Sequence, residues 1–291
     1  MIRSATALLA LFLAGPALAE ERLLSLGGAV TETVFALERG PDLVGTDLTS
    51  GFPSAASGLP KVGYLRALGA EGVLSLRPEL ILASADAGPP AVIRQIEAAG
   101  VRVLSLPEAH GPATALERVR LVGEALGREA DAQVMIAALR ADLAQIAADV
   151  DRLPEKRRVL FLLSAGRGAP MAAGTGTAAD AMIRMAGGVN VITAFRGYRP
   201  LSSEAAMLAE PEAIVTTSET LVGVGGVDAL LAASALAETP AGRSRTIIAF
   251  DGLYLLGFGP RVAHAQRDLA LALHPGASIR PLPRRDWVAS R

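Results

Sequence analysis

Short runs of consecutive apolar residues alternate along this chain with segments in which apolar residues recur every three or four positions. Such runs predict strands buried on both faces, and the segments between them predict amphipathic helices. Strands and helices that alternate at this spacing favour an α/β fold with central parallel-type sheets and crossover helices. The predicted strands fall at residues 22–26, 43–46, 80–82, 101–106, 158–163, 213–215 and 246–250.

Between residues 113 and 153 the pattern changes to helix alone. Apolar residues recur there mostly at helical spacings, and the second half is rich in alanine, which favours one long helix that ends at Pro154. A helix in this place acts as a rigid strut, whereas a glycine-serine linker would permit large hinge motion. We therefore predict an N-terminal lobe at 20–127, a linking helix at 128–153 and a C-terminal lobe at 154–291. The two Rossmann-like lobes would enclose a ligand cleft.

One stretch of sequence occurs in two related copies, VGYLRALGAEGVLSLRPELIL at 62–82 and GYRPLSSEAAMLAEPEAIV at 197–215. Each copy contains a tyrosine, a leucine, a glutamate and, seven residues after the glutamate, a proline that precedes an apolar strand. The pattern fits two lobes built on one plan, but it equally fits a repeated β-α unit without a shared function. The residues are Tyr64, Leu68, Glu71 and Pro78 in the first copy and Tyr198, Leu201, Glu204 and Pro211 in the second.

The first 19 residues have the composition of an export signal. Arg3 supplies a positive charge, residues 5–13 are apolar, and the sequence ALA at 17–19 is a small-x-small cleavage motif before Glu20. The apolar stretch is too short for a stable bilayer anchor, and no cysteine follows the cleavage motif to carry a lipid. We expect a cleaved signal peptide at 1–19 and a periplasmic protein that is neither lipid-anchored nor stably inserted in a membrane.

Composition and motifs remove several classes of function. A net charge of −1 gives no indication of nucleic-acid binding, and the absence of cysteine excludes thiolate metal sites and thiol catalysis. Neither Lys61 nor Lys156 follows a glycine, so a Walker phosphate loop is absent, and the glycine pattern at 174–176 lacks the third glycine of a dinucleotide fingerprint. No nucleophile elbow occurs and the acidic residues are scattered. We expect a binding protein rather than an enzyme.

The strongest candidate for ligand chemistry is Tyr64, which follows Gly63 and precedes Arg66 by two residues. In an extended backbone, residues i and i+2 face the same side. A guanidinium beside a phenol favours the phenolate, and tyrosine is a known axial ligand of haem iron. The alternative on spacing alone is a half-buried tyrosine beside a solvated arginine. Among the histidines, only His110, at the end of a predicted strand, is placed to line the cleft.

These residues give the chain its resemblance to the haem-binding periplasmic proteins of bacterial haem ABC importers, within the wider group that binds cobalamin and siderophores. The similarity covers nearly the whole mature chain, and its most specific part is the Tyr-x-Arg motif at 64–66 with the Leu-x-x-Glu at 68–71. The resemblance implies two α/β lobes joined by one long helix. It further implies haem b as the transported ligand and an inner-membrane ABC permease with its ATPase as the partner.

The resemblance also implies roles for single residues. Tyr64 would ligate the haem iron, Arg66 would support its phenolate, and Tyr198 matches a family tyrosine. Some relatives add a histidine from the second lobe, but the matching glycine-rich loop here contains no histidine. Two of its residues, Arg167 and Met171, are the candidates to support the ligand there. Glu71 and Glu204 match the glutamates that dock on arginines of the permease. The alternative ligands are cobalamin and a ferric siderophore.

Overall fold

The chain forms two α/β lobes, each built around its own sheet. The computed structural model describes residues 22–289 apart from residues 109 and 167, so the predicted signal peptide lies outside the described residues. The N-terminal sheet comprises four parallel strands in the order β2-β1-β3-β4. The elements of this part are β1 (Leu23–Leu26), α1 (Gly28–Ala36), a 3₁₀ turn (Gly40–Asp42), β2 (Leu43–Thr46), α2 (Ser54–Ser57), α3 (Ala70–Ser75), β3 (Leu80–Ser84), α4 (Pro90–Ala98) and β4 (Arg102–Leu106).

Two helices follow the N-terminal sheet, and the C-terminal sheet comes after them. Its order is β10-β9-β5-β6-β8, with β7 also paired to β5. The elements are α5 (Pro112–Ala125), α6 (Glu129–Val150), β5 (Arg157–Ser164), β6 (Met171–Ala173), α7 (Ala178–Met185), β7 (Gly188–Asn190), β8 (Tyr198–Pro200), α8 (Ser203–Leu208), β9 (Ala213–Thr217), α9 (Ser218–Val224), α10 (Val227–Ala232), a 3₁₀ helix (Ala233–Glu238), α11 (Pro240–Ser244), β10 (Ile247–Phe250), α12 (Gly252–Leu256) and α13 (Val262–Leu273).

The predicted α/β class is confirmed, but the C-terminal sheet is mixed rather than wholly parallel. The glycine-rich segment after β5 reads as a loop in the sequence. In the structure it folds back as β6, antiparallel to β5, and β8 pairs antiparallel to β6. Three-residue strands of this kind give too little periodicity to be seen in a sequence.

Each sheet is buried on both faces, which explains the continuous apolar runs. Successive strand residues point to opposite faces. In β5, Val159 and Phe161 enter one core while Leu160 and Leu162 enter the other, and in β3 Leu80 and Ile81 divide in the same way. Four apolar clusters result, one on each face of each sheet.

Helix α6 contributes to the cores of both lobes with one apolar face. Its buried residues follow helical spacing, and its 22 residues span about 33 Å. The first half packs beneath the N-terminal sheet and the second half beneath the C-terminal sheet, so the helix joins the lobes through packing as well as through the chain. The residues are Ala132, Met135, Ile136 and Leu139 in the first half and Leu143, Ile146 and Val150 in the second.

The C-terminal segment is bound along α6, although its basic composition is typical of a peripheral tail. Arg280 Nε lies 2.9 Å from an oxygen of Asp149, and Arg285 Nη2 lies 2.7 Å from an oxygen of Asp142. Trp287 then packs against the core of the N-terminal lobe. Residues assigned to the C-terminal lobe thus also contact the first lobe. The lobe boundaries proposed from the sequence stay a prediction.

The two sequence repeats adopt the same local structure. Each contains a short helix, then a residue in the left-handed region (Arg77, φ 47°; Glu210, φ 42°), then a proline and a parallel strand. In each lobe an arginine at the start of the first strand donates two hydrogen bonds to carbonyls after this helix. The pairs are Arg22 Nε with Arg77 O (3.0 Å), Arg22 Nη2 with Leu76 O (2.7 Å), Arg158 Nε with Glu210 O (3.2 Å) and Arg158 Nη2 with Ala209 O (2.5 Å).

These arginine bonds satisfy carbonyls that a helix end leaves unpaired. We predict that Arg158→Ala lowers the free energy of unfolding by about 1–2 kcal/mol, since hydrogen bonds to charged groups contribute at that level. Urea unfolding measures the loss. Arg157→Ala, one residue earlier on β5, is the matched control and should change stability by less than about 0.5 kcal/mol. Equal effects of the two changes would contradict a specific capping role for Arg158.

Candidate functional site

Tyr64 and Arg66 lie together in a tight turn. The turn is closed by a hydrogen bond from Ala67 N to Tyr64 O (2.8 Å), and Leu65 at its centre is 5% exposed. The buried leucine fixes the turn while both flanking side chains remain accessible, with Tyr64 44% exposed. The Arg66 Nη1 atom lies 3.0 Å from the Tyr64 hydroxyl. The predicted proximity is confirmed, but a turn produces it rather than extended backbone.

Backbone hydrogen bonds hold this turn between two neighbouring loops. Leu48 N donates to Gly63 O (2.9 Å) on one side. On the other side, Gly88 N donates to Leu65 O (2.9 Å) and Leu68 N donates to Gly88 O (2.9 Å). Tyr64 is therefore presented from a connected set of loops above the carboxyl ends of the strands, where open α/β sheets bind ligands.

A cavity of about 620 Å³ lies between the lobes beside this turn. The N-terminal lobe contributes the start of α1, Arg66, Asp86 and Arg118, and the C-terminal lobe contributes the start of α12 and Arg261. Tyr64 does not line this cavity, but its hydroxyl is bonded to Arg66, which does. The space is of the size that proteins use for large organic ligands.

Charged groups of both signs face the cavity. Burial lowers the pKa of Arg118 to about 10, although Asp86, Glu108 and Glu32 act in the opposite direction. Burial would also lower the pKa of Arg66, but the hydrogen bond to Tyr64 and the charge of Asp86 outweigh it and raise that pKa. Both guanidiniums are therefore cations at neutral pH. The cavity can hold an organic ligand that carries acidic groups.

Tyr198 occupies a different environment on β8. Burial raises its pKa, and the charges of Glu108 and Arg66, from the opposite lobe, also reach it. Its phenol is therefore neutral at neutral pH, unlike an anionic metal ligand. Met171 lies on the adjacent strand β6, on the same sheet face two positions away. Neither lines the cavity, and Arg167 lies outside the described residues.

The chain matches the periplasmic binding protein family over residues 23–253. It belongs to this family. Members with solved structures include the periplasmic heme-binding protein RhuT from Roseiflexus sp. RS-1 in apo form, which is 39% identical, covers 89% of this chain and 99% of its own, and superposes with a TM-score of 0.86. The heme-binding protein BhuT in complex with two hemes is 43% identical over 87% of this chain and 98% of its own, with a TM-score of 0.81.

A second kind of relative matches a shorter stretch. The vitamin B12-binding protein of Yersinia pestis (strain Pestoides F) is 33% identical over 108 residues, which are 37% of this chain and 39% of that protein. The matched family and these relatives are binding proteins.

In the part of the chain that the structure describes, no helix has the length and apolar character needed to cross a membrane.

Within this periplasmic binding protein, Glu71 and Glu204 occupy matching places on the two lobes. Each lies exposed in the first turn of its helix, α3 or α8. Ser202, not Glu204, caps α8, because its hydroxyl accepts from Ala205 N at 3.2 Å. Neither glutamate makes a hydrogen bond or ion pair with any residue that the structure describes. Both carboxylates are thus available to an outside partner.

An ion pair between Glu32 and Arg261 connects the lobes at the base of the cleft. Glu32 lies on α1 and Arg261 immediately before α13, with Arg261 Nε 3.1 Å from a Glu32 oxygen. The guanidinium also lies 3.7 Å from the centre of the Phe52 ring, a cation–π contact. Glu32 is almost wholly buried, and this burial raises its pKa even though Arg261 acts to lower it.

Asp86, Glu108 and Arg118, which also line the cavity, are not predicted from the sequence. His110 does line the cavity, as its place in the sequence suggested, and lies 3.2 Å from Glu108. Asp86 and Glu108 each lie two residues after a strand, β3 or β4, at the carboxyl ends of parallel strands. That position is a usable indication of a ligand site. Arg118 lies within a predicted amphipathic helix, and nothing in its spacing distinguishes it from a solvated residue.

We predict that Arg261→Ala costs about 3–5 kcal/mol of stability, because it leaves a buried carboxylate without its partner. The loss should be greater at about pH 8 than at about pH 5. A folded-state pKa above the unfolded one means that the folded state holds the proton more tightly, so stability falls as pH rises above the ordinary value of a glutamate. Urea unfolding at both pH values measures this.

The matched control for this pair replaces both charges with neutral side chains. Glu32→Gln combined with Arg261→Met should recover much of the lost stability, since a neutral pair leaves no uncompensated charge in the interior. A double variant as unstable as Arg261→Ala, or a pH-independent loss in the single variant, would contradict this account of the lobe contact.

Proposed function

We propose that this chain captures haem in the cleft between its lobes and delivers it to an inner-membrane ABC importer. The observation that carries the proposal is the Tyr64 hydroxyl held 3.0 Å from the Arg66 guanidinium at the cleft. A guanidinium donor stabilises a phenolate oxygen, and phenolate is an established ligand of haem iron. Similarity to two heme-binding proteins over 87% or more of the chain supports the same ligand.

The ligand roles divide between the lobes in this proposal. Tyr64 ligates the iron from the N-terminal lobe and Arg66 stabilises its anionic form. The roles of Tyr198, Met171 and Arg167 as supports of the macrocycle from the C-terminal lobe rest on the resemblance, since neither Tyr198 nor Met171 lines the cavity. The alternative ligands are cobalamin and a ferric siderophore. The match to a vitamin B12-binding protein supports cobalamin, but it covers only 37% of the chain.

The proposal includes export and docking. The leader at 1–19 would be cleaved and the mature chain would act in the periplasm without a lipid anchor. Exposed glutamates in matching positions on both lobes provide two anionic contacts for a two-sided permease. Because these carboxylates have no partner among the described residues, docking explains them better than helix capping does.

We predict that Tyr64→Phe abolishes the tyrosinate charge-transfer band of ferric haem and weakens binding by more than about tenfold, or about 1.4 kcal/mol. The ring remains but the oxygen donor is lost. Absorption spectra and haem-transfer kinetics to apomyoglobin measure both effects. Tyr198→Phe is the matched control and should keep the band, since its phenol is neutral. An unchanged spectrum in Tyr64→Phe would remove this residue as the ligand.

We predict that Glu71→Lys and Glu204→Lys leave haem affinity unchanged but weaken binding to the permease and stimulation of its ATPase. Reversing an exposed charge repels the basic partner, and salt should weaken wild-type docking because exposed charges are screened over about 10 Å at 0.1 M. Proteoliposomes with the importer provide the assay. Glu97→Lys on α4, also exposed, is the control. Full stimulation by the folded, haem-loaded double variant would disprove docking through these residues.

A further inference from the structure

Asp86 contacts Arg66, the second member of the Tyr64–Arg66 pair. It follows β3 by two residues, lines the cleft cavity, and its side chain is 18% exposed. One of its oxygens, Oδ2, accepts a hydrogen bond from Arg66 Nη2 and forms an ion pair with it. The same guanidinium uses Nη1 for the Tyr64 hydroxyl. Arg66 is therefore a bridge between a phenol and a carboxylate.

Packing does not determine where Arg66 points. Its side chain is 53% exposed, and a long cationic chain with that much access to water samples many rotamers unless a partner fixes it. The described structure gives Arg66 two side-chain partners, Tyr64 and Asp86. Since Tyr64 is itself half exposed, the less exposed carboxylate is the fixed point of the arrangement.

The loops that carry these residues form one unit. The turn of Asp86 is closed by Ala87 N to Ser84 O (2.8 Å), and Ala85 N bonds to Leu106 O (2.8 Å) on the neighbouring strand. Gly88, two residues after Asp86, donates to Leu65 O at the centre of the Tyr64 turn and accepts from Leu68 N just after the turn. These bonds anchor the loop of Asp86 to the sheet and connect it to the turn that presents Tyr64.

The second oxygen of Asp86 points to a role beyond a surface ion pair. Oδ1 is buried and has no hydrogen-bond partner among the described residues. Buried polar atoms in proteins are nearly always hydrogen-bonded, so this oxygen requires an explanation. The charge of the buried Arg118 guanidinium also acts on Asp86, but Arg118 donates its hydrogen bonds to backbone carbonyls. Among the described residues, Arg66 is the side chain that forms an ion pair with this carboxylate.

We infer that Asp86 is a positioning residue for haem ligation, which holds the Arg66 guanidinium against the oxygen of Tyr64. The inference rests on the proposed function and adds a third member to the pair that the sequence identifies. Asp86 does not touch the iron. It acts by limiting Arg66 to the rotamer that donates to the phenolate, so that the ligand is prepared before haem arrives.

The test is a double-mutant cycle on haem dissociation. Asp86→Ala should raise the dissociation rate of ferric haem about tenfold and weaken the tyrosinate band. Asp86→Asn retains an oxygen that accepts from Arg66 and should lie closer to wild type. In an Arg66→Ala background, Asp86→Ala should have no further effect, because residues that act through one contact are not additive.

The control is Asp42→Ala in the same lobe. Asp42 is also mostly buried and pairs with an arginine, Arg39, but it does not line the cavity. This change should leave haem dissociation at the wild-type rate. A structural readout is the hydrogen exchange of the Arg66 guanidinium by NMR in the haem-free protein, which should become faster in Asp86→Ala and remain slow in Asp42→Ala.

Three results would overturn the inference, and they differ from one another. Wild-type dissociation in Asp86→Ala, with the Tyr64 band intact, would leave haem binding in place and remove Asp86 from it. Additive effects of Asp86→Ala and Arg66→Ala would show that the carboxylate acts through another route. If wild-type protein binds no haem, the proposed function fails and this inference fails with it.

Discussion

One apolar face of helix α6 determines how the two lobes relate to each other. Its first half is part of the core under the N-terminal sheet and its second half is part of the core under the C-terminal sheet. Because interiors are packed at crystal-like density, neither lobe can rotate about this helix without opening a cavity in its own core. The Arg280 and Arg285 contacts to buried aspartates of α6 tie the C-terminal segment to the same helix.

This shared helix makes the cleft a preformed site. The Glu32–Arg261 pair closes its base, and the loops at the strand ends line its walls. Closing the lobes around a ligand then costs little free energy, and the affinity depends mainly on groups that are already in place. Those groups are a phenol supported by a cation, two further arginines and several carboxylates, which suits an acidic metal complex better than an uncharged ligand.

The glutamates of the internal repeat, Glu71 and Glu204, do not line the cleft cavity. The two helices of the repeat end on the same arginine-carbonyl contacts, so that Glu71 and Glu204 are presented by equivalent supports on the two lobes. The tyrosines at the start of the repeats are not equivalent. Tyr64 lies half exposed in a turn beside Arg66, whereas Tyr198 lies in a short strand where burial keeps its phenol neutral.

The α/β class, the long helix after the first sheet and the repeat could all be predicted from the amino-acid sequence, because apolar periodicity reports directly which faces are buried. The sequence also placed Tyr64 next to Arg66, since contacts two residues apart are local. Three features could not be predicted in this way: the antiparallel strand in the glycine-rich segment, the return of the basic C-terminal segment to the first lobe, and the meeting of Asp86, Glu108 and Arg118 in the cleft. Such contacts join residues far apart in the chain, and a charged side chain in a loop carries no periodicity that reveals its partner.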